Sequence, residues 1–98
     1  MIVRVFRCRV HPDKQKQFEP FFRGKAVSNV RAHKGLISIF SGGPMDASSD
    51  AYLMVSIWKD LDSLKAFTGE NWQKPYIDPA EADLISEVTL EHYEGGHV

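Results

Sequence analysis

The side chains of this 98-residue chain that could take part in chemistry are mostly aromatic, with a few histidines. Tyr52 and Trp58 belong to the run Ala51 to Trp58, Ala-Tyr-Leu-Met-Val-Ser-Ile-Trp. Read as a strand, that run puts Tyr52, Met54, Ser56 and Trp58 on one face and Ala51, Leu53, Val55 and Ile57 on the other. Both faces are apolar, so both need cover, and Tyr52 and Trp58 stand where a ligand cavity could form. Packing alone would also account for Trp58, because an indole buries a large area and needs one partner for its ring N–H. His92 shares a face of the last strand with Leu84, Val88 and Leu90. An imidazole titrating near neutrality makes it the best candidate proton acceptor, with a hydrogen-bonded structural histidine as the plainer alternative. His33 reads as a cation at a helix C-terminus. His11 begins a loop ahead of Pro12, and His97 lies in the tail.

Other chemistries find little footing. Neither a His-x-x-x-His spacing, nor a cysteine pair, nor a carboxylate–histidine cluster on one face occurs, so no metal site is expected. The one cysteine, Cys8, falls mid-strand with no base or helix N-terminus beside it and reads as an inert small hydrophobe. Serine-nucleophile motifs are absent. The Gly42-Gly43 pair lacks the downstream pattern of a phosphate loop and reads as turn chemistry. Twelve basic and thirteen acidic residues give a net charge of −1, which leaves no electrostatic footprint for nucleic acid or an anionic membrane. The first strand carries Arg4, Arg7 and Arg9 where a signal peptide would need an unbroken apolar core. No apolar stretch is long enough to span a bilayer. A cytoplasmic location is the expectation.

The elements that must position these residues follow from periodicity. Ile2 to Val10 reads as a strand with Val3 and Val5 on one side and Ile2, Phe6, Cys8 and Val10 on the other. Asp13 is the candidate N-cap of a helix in which Phe18, Phe21, Phe22, Ala26 and Val30 recur at three- and four-residue spacing. Arg31, His33 and Lys34 crowd its end and Gly35 stops it. Pro20 lies inside that pattern and predicts a kink or a restart. Leu36 to Ser41 is the second strand, joined to Ala51–Trp58 by the turn-rich Gly42 to Asp50, so a hairpin is expected. Asp60 caps a shorter helix carrying Leu61, Leu64 and Phe67, ended by Gly69. Glu70 to Glu81 reads as loop with short helical turns, and Leu84 to Glu94 as the last strand. Its opposite face, Glu87, Thr89, Glu91 and Tyr93, is polar enough to pair with Arg7 and Arg9 if it neighbours the first strand. Gly95 to Val98 should fray.

The order strand, helix, strand, strand, helix, strand predicts one α+β domain over residues 1–98. Its arrangement is ferredoxin-like, a split βαβ with a four-stranded antiparallel sheet and both helices on one face. The uncovered face would expose roughly several hundred Å² of apolar side chains, more than a soluble monomer usually shows. Two such sheets packed face to face would give a homodimer, a dimeric α+β barrel. RNA-recognition domains share the topology, but Lys34-Gly35 is followed by Leu36, Ile37, Ser38 and Ile39, with no aromatic platform for bases.

The tracts Val-Ser-Ile-Trp-Lys-Asp (Val55 to Asp60), Leu-Lys-Ala-Phe-Thr-Gly (Leu64 to Gly69), Asn-Trp-Gln-Lys-Pro (Asn71 to Pro75), Pro-Ala-Glu (Pro79 to Glu81) and Glu-His-Tyr-Glu (Glu91 to Glu94) belong together. Jointly they resemble the antibiotic biosynthesis monooxygenase superfamily of dimeric α+β barrel proteins. The resemblance implies a pocket between sheet and helices. It implies either a monooxygenase without flavin, haem or metal cofactor, acting on a small aromatic substrate of the quinol or polyphenol type, or a non-catalytic dimeric module for a small hydrophobic ligand. On the first reading His92 would accept a proton. Trp58, Tyr52, Trp72 and Tyr76 would wall the pocket, and Asn71 would make a polar contact. Haem-degrading relatives carry an asparagine in the first strand and an iron-ligating histidine on the second helix. Ile2 to Val10 has no asparagine and Leu61 to Lys74 no histidine, which argues against haem.

Overall fold

The computed structural model describes residues 1–96, so His97 and the end of the tail lie outside it. The strands are β1 (Ile2–Val10), β2 (Leu36–Gly42), β3 (Ala51–Trp58) and β4 (Ile85–Glu94), all paired antiparallel in the order β2-β3-β1-β4. This is the expected ferredoxin-like α+β arrangement. The hairpin between the second and third strands forms as predicted.

The helical layer begins differently from expectation. Asp13 does not cap a helix; it lies inside a 3-10 turn, Pro12–Lys14, whose N-cap His11 makes no side-chain bond. Proline at the first helical position already lacks the N–H that a cap would satisfy, so the turn starts there instead. The helix runs on as α1 (Gln15–Phe21), a π-helical turn (Phe22–Ala26) and α2 (Val27–Arg31). The disturbance expected at Pro20 thus takes the form of a widened turn just after it, a common response to a break in the α-helical ladder. Gly35 closes the segment at φ +87°. The second helix, α3 (Leu61–Thr68), starts on Asp60, whose carboxylate accepts from the Ser63 N–H at 2.8 Å, and ends at Gly69 with φ +83°. A 3-10 segment, Pro79–Leu84, leads into β4.

The core lies between the sheet and the helices. Cys8, Val10, Tyr52, Met54 and Trp58 from the strands meet Phe18, Phe22, Val30, Leu64 and Leu84. The alternation in β3 holds throughout: Tyr52, Met54, Ser56 and Trp58 are buried, while Leu53, Val55 and Ile57 are only partly covered. On that second face the register lines up Phe40, Val55, Val5 and Glu91 across the four strands, with Ile57, Val3 and Tyr93 alongside. The polar face of β4 does pair with the arginines of β1, Arg7 with Glu91 and Arg9 with Glu87. Among the described residues no helix is long and apolar enough to cross a membrane.

Candidate active site

A cavity of about 100 Å³ lies between the sheet and the helical layer. Its floor is the sheet, through Arg4 and Phe6 of β1 and Met54 and Ser56 of β3. These residues share a face because Arg4 is opposite Ser56 and Phe6 opposite Met54 in the register. The helical run supplies Phe18, Phe21, Phe22, Ala26, Asn29 and Val30, and α3 adds Phe67. Tyr76, Ile77, Asp78 and Glu81 line the remaining side, with Tyr76 exposed. The widened turn Phe22–Ala26 therefore forms part of the wall.

The cavity is aromatic and has one deep cation. Arg4 is 5 % exposed, yet its guanidinium forms no ion pair among the described residues. Its Nη1 donates to the Trp72 carbonyl at 2.7 Å and to His92 Nε2 at 2.8 Å. Burial lowers its pKa to about 10, which still leaves it charged at neutral pH. The His92 imidazole packs edge-on against the Trp72 ring, with centroids 4.9 Å apart. Desolvation, and then the Arg4 charge, hold His92 below the ordinary imidazole value. Since Nε2 accepts from Arg4, the neutral ring carries its proton on Nδ1.

The six residues singled out from the sequence separate into layers. Tyr76 lines the cavity. Trp72 and His92 reach it through their bonds to Arg4. Trp58 and His92 share the helix-facing side of the sheet, with β1 between their strands. Trp58 is fully buried behind the wall, stacked on Phe67 at 5.4 Å, its ring N–H donated to Ser56 Oγ at 3.0 Å. Phe67 and Ser56, not Trp58, present the surface. Tyr52 also lies behind, edge-on to Phe18 and Phe22, its hydroxyl 3.4 Å from Glu19. Asn71 is exposed, and its carbonyl accepts from the Lys74 N–H.

Arg4 is the residue that the sequence reading missed. The signal was present: it has the same strand parity as Ile2, Phe6, Cys8 and Val10, the face read as apolar. Cys8 is buried and its thiol is pushed up to about 12 by desolvation, in keeping with an inert side chain. Among the described residues no three His, Cys, Asp or Glu side chains come together as a metal site.

The family model for antibiotic biosynthesis monooxygenase matches residues 1–76. No curated protein sequence matches the chain significantly. Among solved structures, a candidate antibiotic biosynthesis monooxygenase from Deinococcus radiodurans superposes with a TM-score of 0.78 at 12% identity, covering 100% of this chain and 95% of that one. A candidate member from Nitrosomonas europaea gives 0.76 at 17% identity, covering 99% and 100%. A conserved protein from Methanosarcina mazei gives 0.74 at 18% identity, covering 98% and 94%. At such identities these likenesses speak for the fold, and the match of the family model over most of the chain decides membership: the protein belongs to the antibiotic biosynthesis monooxygenase family.

Proposed function

We propose that the chain, as one domain over residues 1–98, is a homodimeric monooxygenase that oxidises a small aromatic substrate of the quinol, polyphenol or anthrone type. The observation that carries this reading is the aromatic cavity between sheet and helices with a buried guanidinium on its floor. An electron-rich aromatic anion can itself reduce O2, so the reading requires no flavin, haem or metal. For an anthrone the balance is a CH2 group and O2 giving a carbonyl and water: two C–H bonds are lost, one oxygen atom enters the product and the other leaves in water. The cavity wall orients the flat ring and excludes solvent. His92 is the proton acceptor in this scheme. Because its Nε2 lone pair accepts an Arg4 N–H, taking the substrate's proton requires that N–H to move to the substrate oxygen as it becomes negative. Trp72 holds the imidazole edge-on and Tyr76 borders the ring from outside, while Trp58 and Tyr52 back the wall.

Oxygen uptake by the purified protein, measured with a panel of anthrones and quinols under 18O2, tests the proposal. One labelled atom per product molecule, in protein without flavin or haem absorption, is the expected result. A second reading, a dimeric module that binds a hydrophobic ligand without turning it over, is favoured by the engagement of the His92 lone pair with Arg4. Tight binding across the panel with no oxygen uptake above buffer would establish that reading in place of the first.

A further inference from the structure

A guanidinium in an apolar interior is costly unless its charge is balanced, and interior arginines are accordingly found paired with acids. Arg4 has no such partner among the described residues. Its two hydrogen bonds, to the Trp72 carbonyl and to neutral His92, both use Nη1 and both go to uncharged acceptors. Nε and Nη2 make no hydrogen bond among the described residues, and no buried side-chain nitrogen or oxygen there lacks a partner. These two nitrogens must therefore border open space. Arg4 is 5 % exposed and lines the cavity, so that space is the cavity. Nε and one Nη side by side form the edge of the fork that engages an oxyanion with two parallel N–H bonds.

We propose that Arg4 is the anion-binding residue of the cavity and that the ligand is a flat aromatic molecule held there in ionised form, its phenolate, enolate or carboxylate oxygen on the guanidinium. The aromatic wall of Phe18, Phe21, Phe22 and Phe67 takes the ring. The bonds from Nη1 to the Trp72 carbonyl and His92 fix the plane of the guanidinium, so little side-chain freedom is lost when the oxyanion arrives. Two acids also line the cavity. Asp78 is already engaged by the Lys25 ammonium at 3.4 Å and by the Ala80 N–H at 2.9 Å, and Glu81 follows it in the 3-10 segment that leads into β4. Together they set the polarity of the site, with negative charge beside the exposed Tyr76 and positive charge beneath. A ligand then enters ring-side outward and acid-side inward. This inference deepens the oxygenase reading and rests on it only for the choice of cavity.

The test uses 4-nitrophenol, a single ring whose phenolate is yellow and whose phenol is not, so the ionisation of the bound molecule is read directly. Absorbance titration against pH with saturating protein should show the bound ligand ionising about one pH unit or more below the free one, equivalent to about tenfold tighter binding of phenolate than of phenol. Arg4→Met should abolish that shift or reverse its sign, while Arg4→Lys should restore part of it. The sign of the shift in the unaltered protein decides the matter even if Arg4→Met fails to fold. A bound pKa at or above the free value overturns the proposal. So does an unchanged shift in folded Arg4→Met, or the absence of binding at millimolar ligand. The readout involves no turnover, so oxygenase activity can fail while this shift is found, and the reverse.

Discussion

At the residue scale, His92 ties the site to pH. Its folded-state value is depressed by desolvation and by Arg4, with the Trp72 ring as the other group packed on it. As pH falls, the unfolded chain takes up this proton first, at an ordinary value of about 6.5. The contribution to stability is therefore complete above that value and is lost as pH drops towards the lower folded value. Urea denaturation from about pH 8 down to about pH 5 should show the unaltered protein losing stability more steeply than His92→Gln. Equal slopes would mean that the imidazole is not held neutral. The same residue shows what a sequence can tell about a site. Strand parity placed Trp58 and His92 on the correct face, because side chains alternate strictly. It could not say how deep each lay, and depth is what puts Phe67 between Trp58 and the cavity. Arg4 escaped notice because an arginine in a strand is ordinarily a solvent-facing residue. Its parity with Ile2, Phe6 and Cys8 put it on the apolar face, and its burial without a counter-charge, a tertiary fact, shows why that parity mattered.

At the element scale, the chain's most constrained join is where the loop after α2 passes α3. Gly35 has φ +87°, and a Cβ there would lie 2.2 Å from Ser63 Oγ and 2.5 Å from Ser63 Cβ. Its carbonyl also accepts from the Lys59 N–H at 2.8 Å, just before Asp60 caps the helix. Gly35→Ala should cost about 1–2 kcal/mol for the left-handed backbone alone. The clash adds to that and displaces the start of α3, and with it Phe67. The loss would appear as a lower urea midpoint with unchanged m-value. An alanine variant as stable as the original would mean that the loop relaxes freely. Gly35, Asp60 and Gly69 were legible as punctuation because a stop or a cap is local chemistry. The beginning of the first helix was misplaced at Asp13, since a proline at the first position competes with an acidic cap and sequence alone does not rank them. The widened turn after Pro20 was foreseen only as a disturbance. Its form depends on how the aromatic residues pack against Tyr52 and the sheet.

At the scale of the whole molecule, one face of the sheet is covered by helices and the other is not. Phe40 and Tyr93 are 62% and 53% exposed there, and Val3, Val5, Leu53, Val55 and Ile57 lie between them, only partly covered. Two copies joined through this face would bury an area of the size stable dimers use, roughly 800 Å² from each partner. Sedimentation at micromolar concentration should give twice the chain mass of 11.1 kDa, and Val55→Asp should leave monomer or precipitate. A soluble monomer of the unaltered chain would refute the sheet-to-sheet dimer. The order of the strands has a further consequence, in time rather than in space. β1 leaves the ribosome before either of its partners, and both are made much later: Val5 waits for Val55 on one side and for Glu91 on the other. Every pairing of β1 thus closes a long loop, the non-local kind of contact that makes a domain fold more slowly than a helical bundle. Until β4 is synthesised, Arg4 lacks His92 and β1 has an unpaired edge, so over that interval the nascent chain is open to wrong partners.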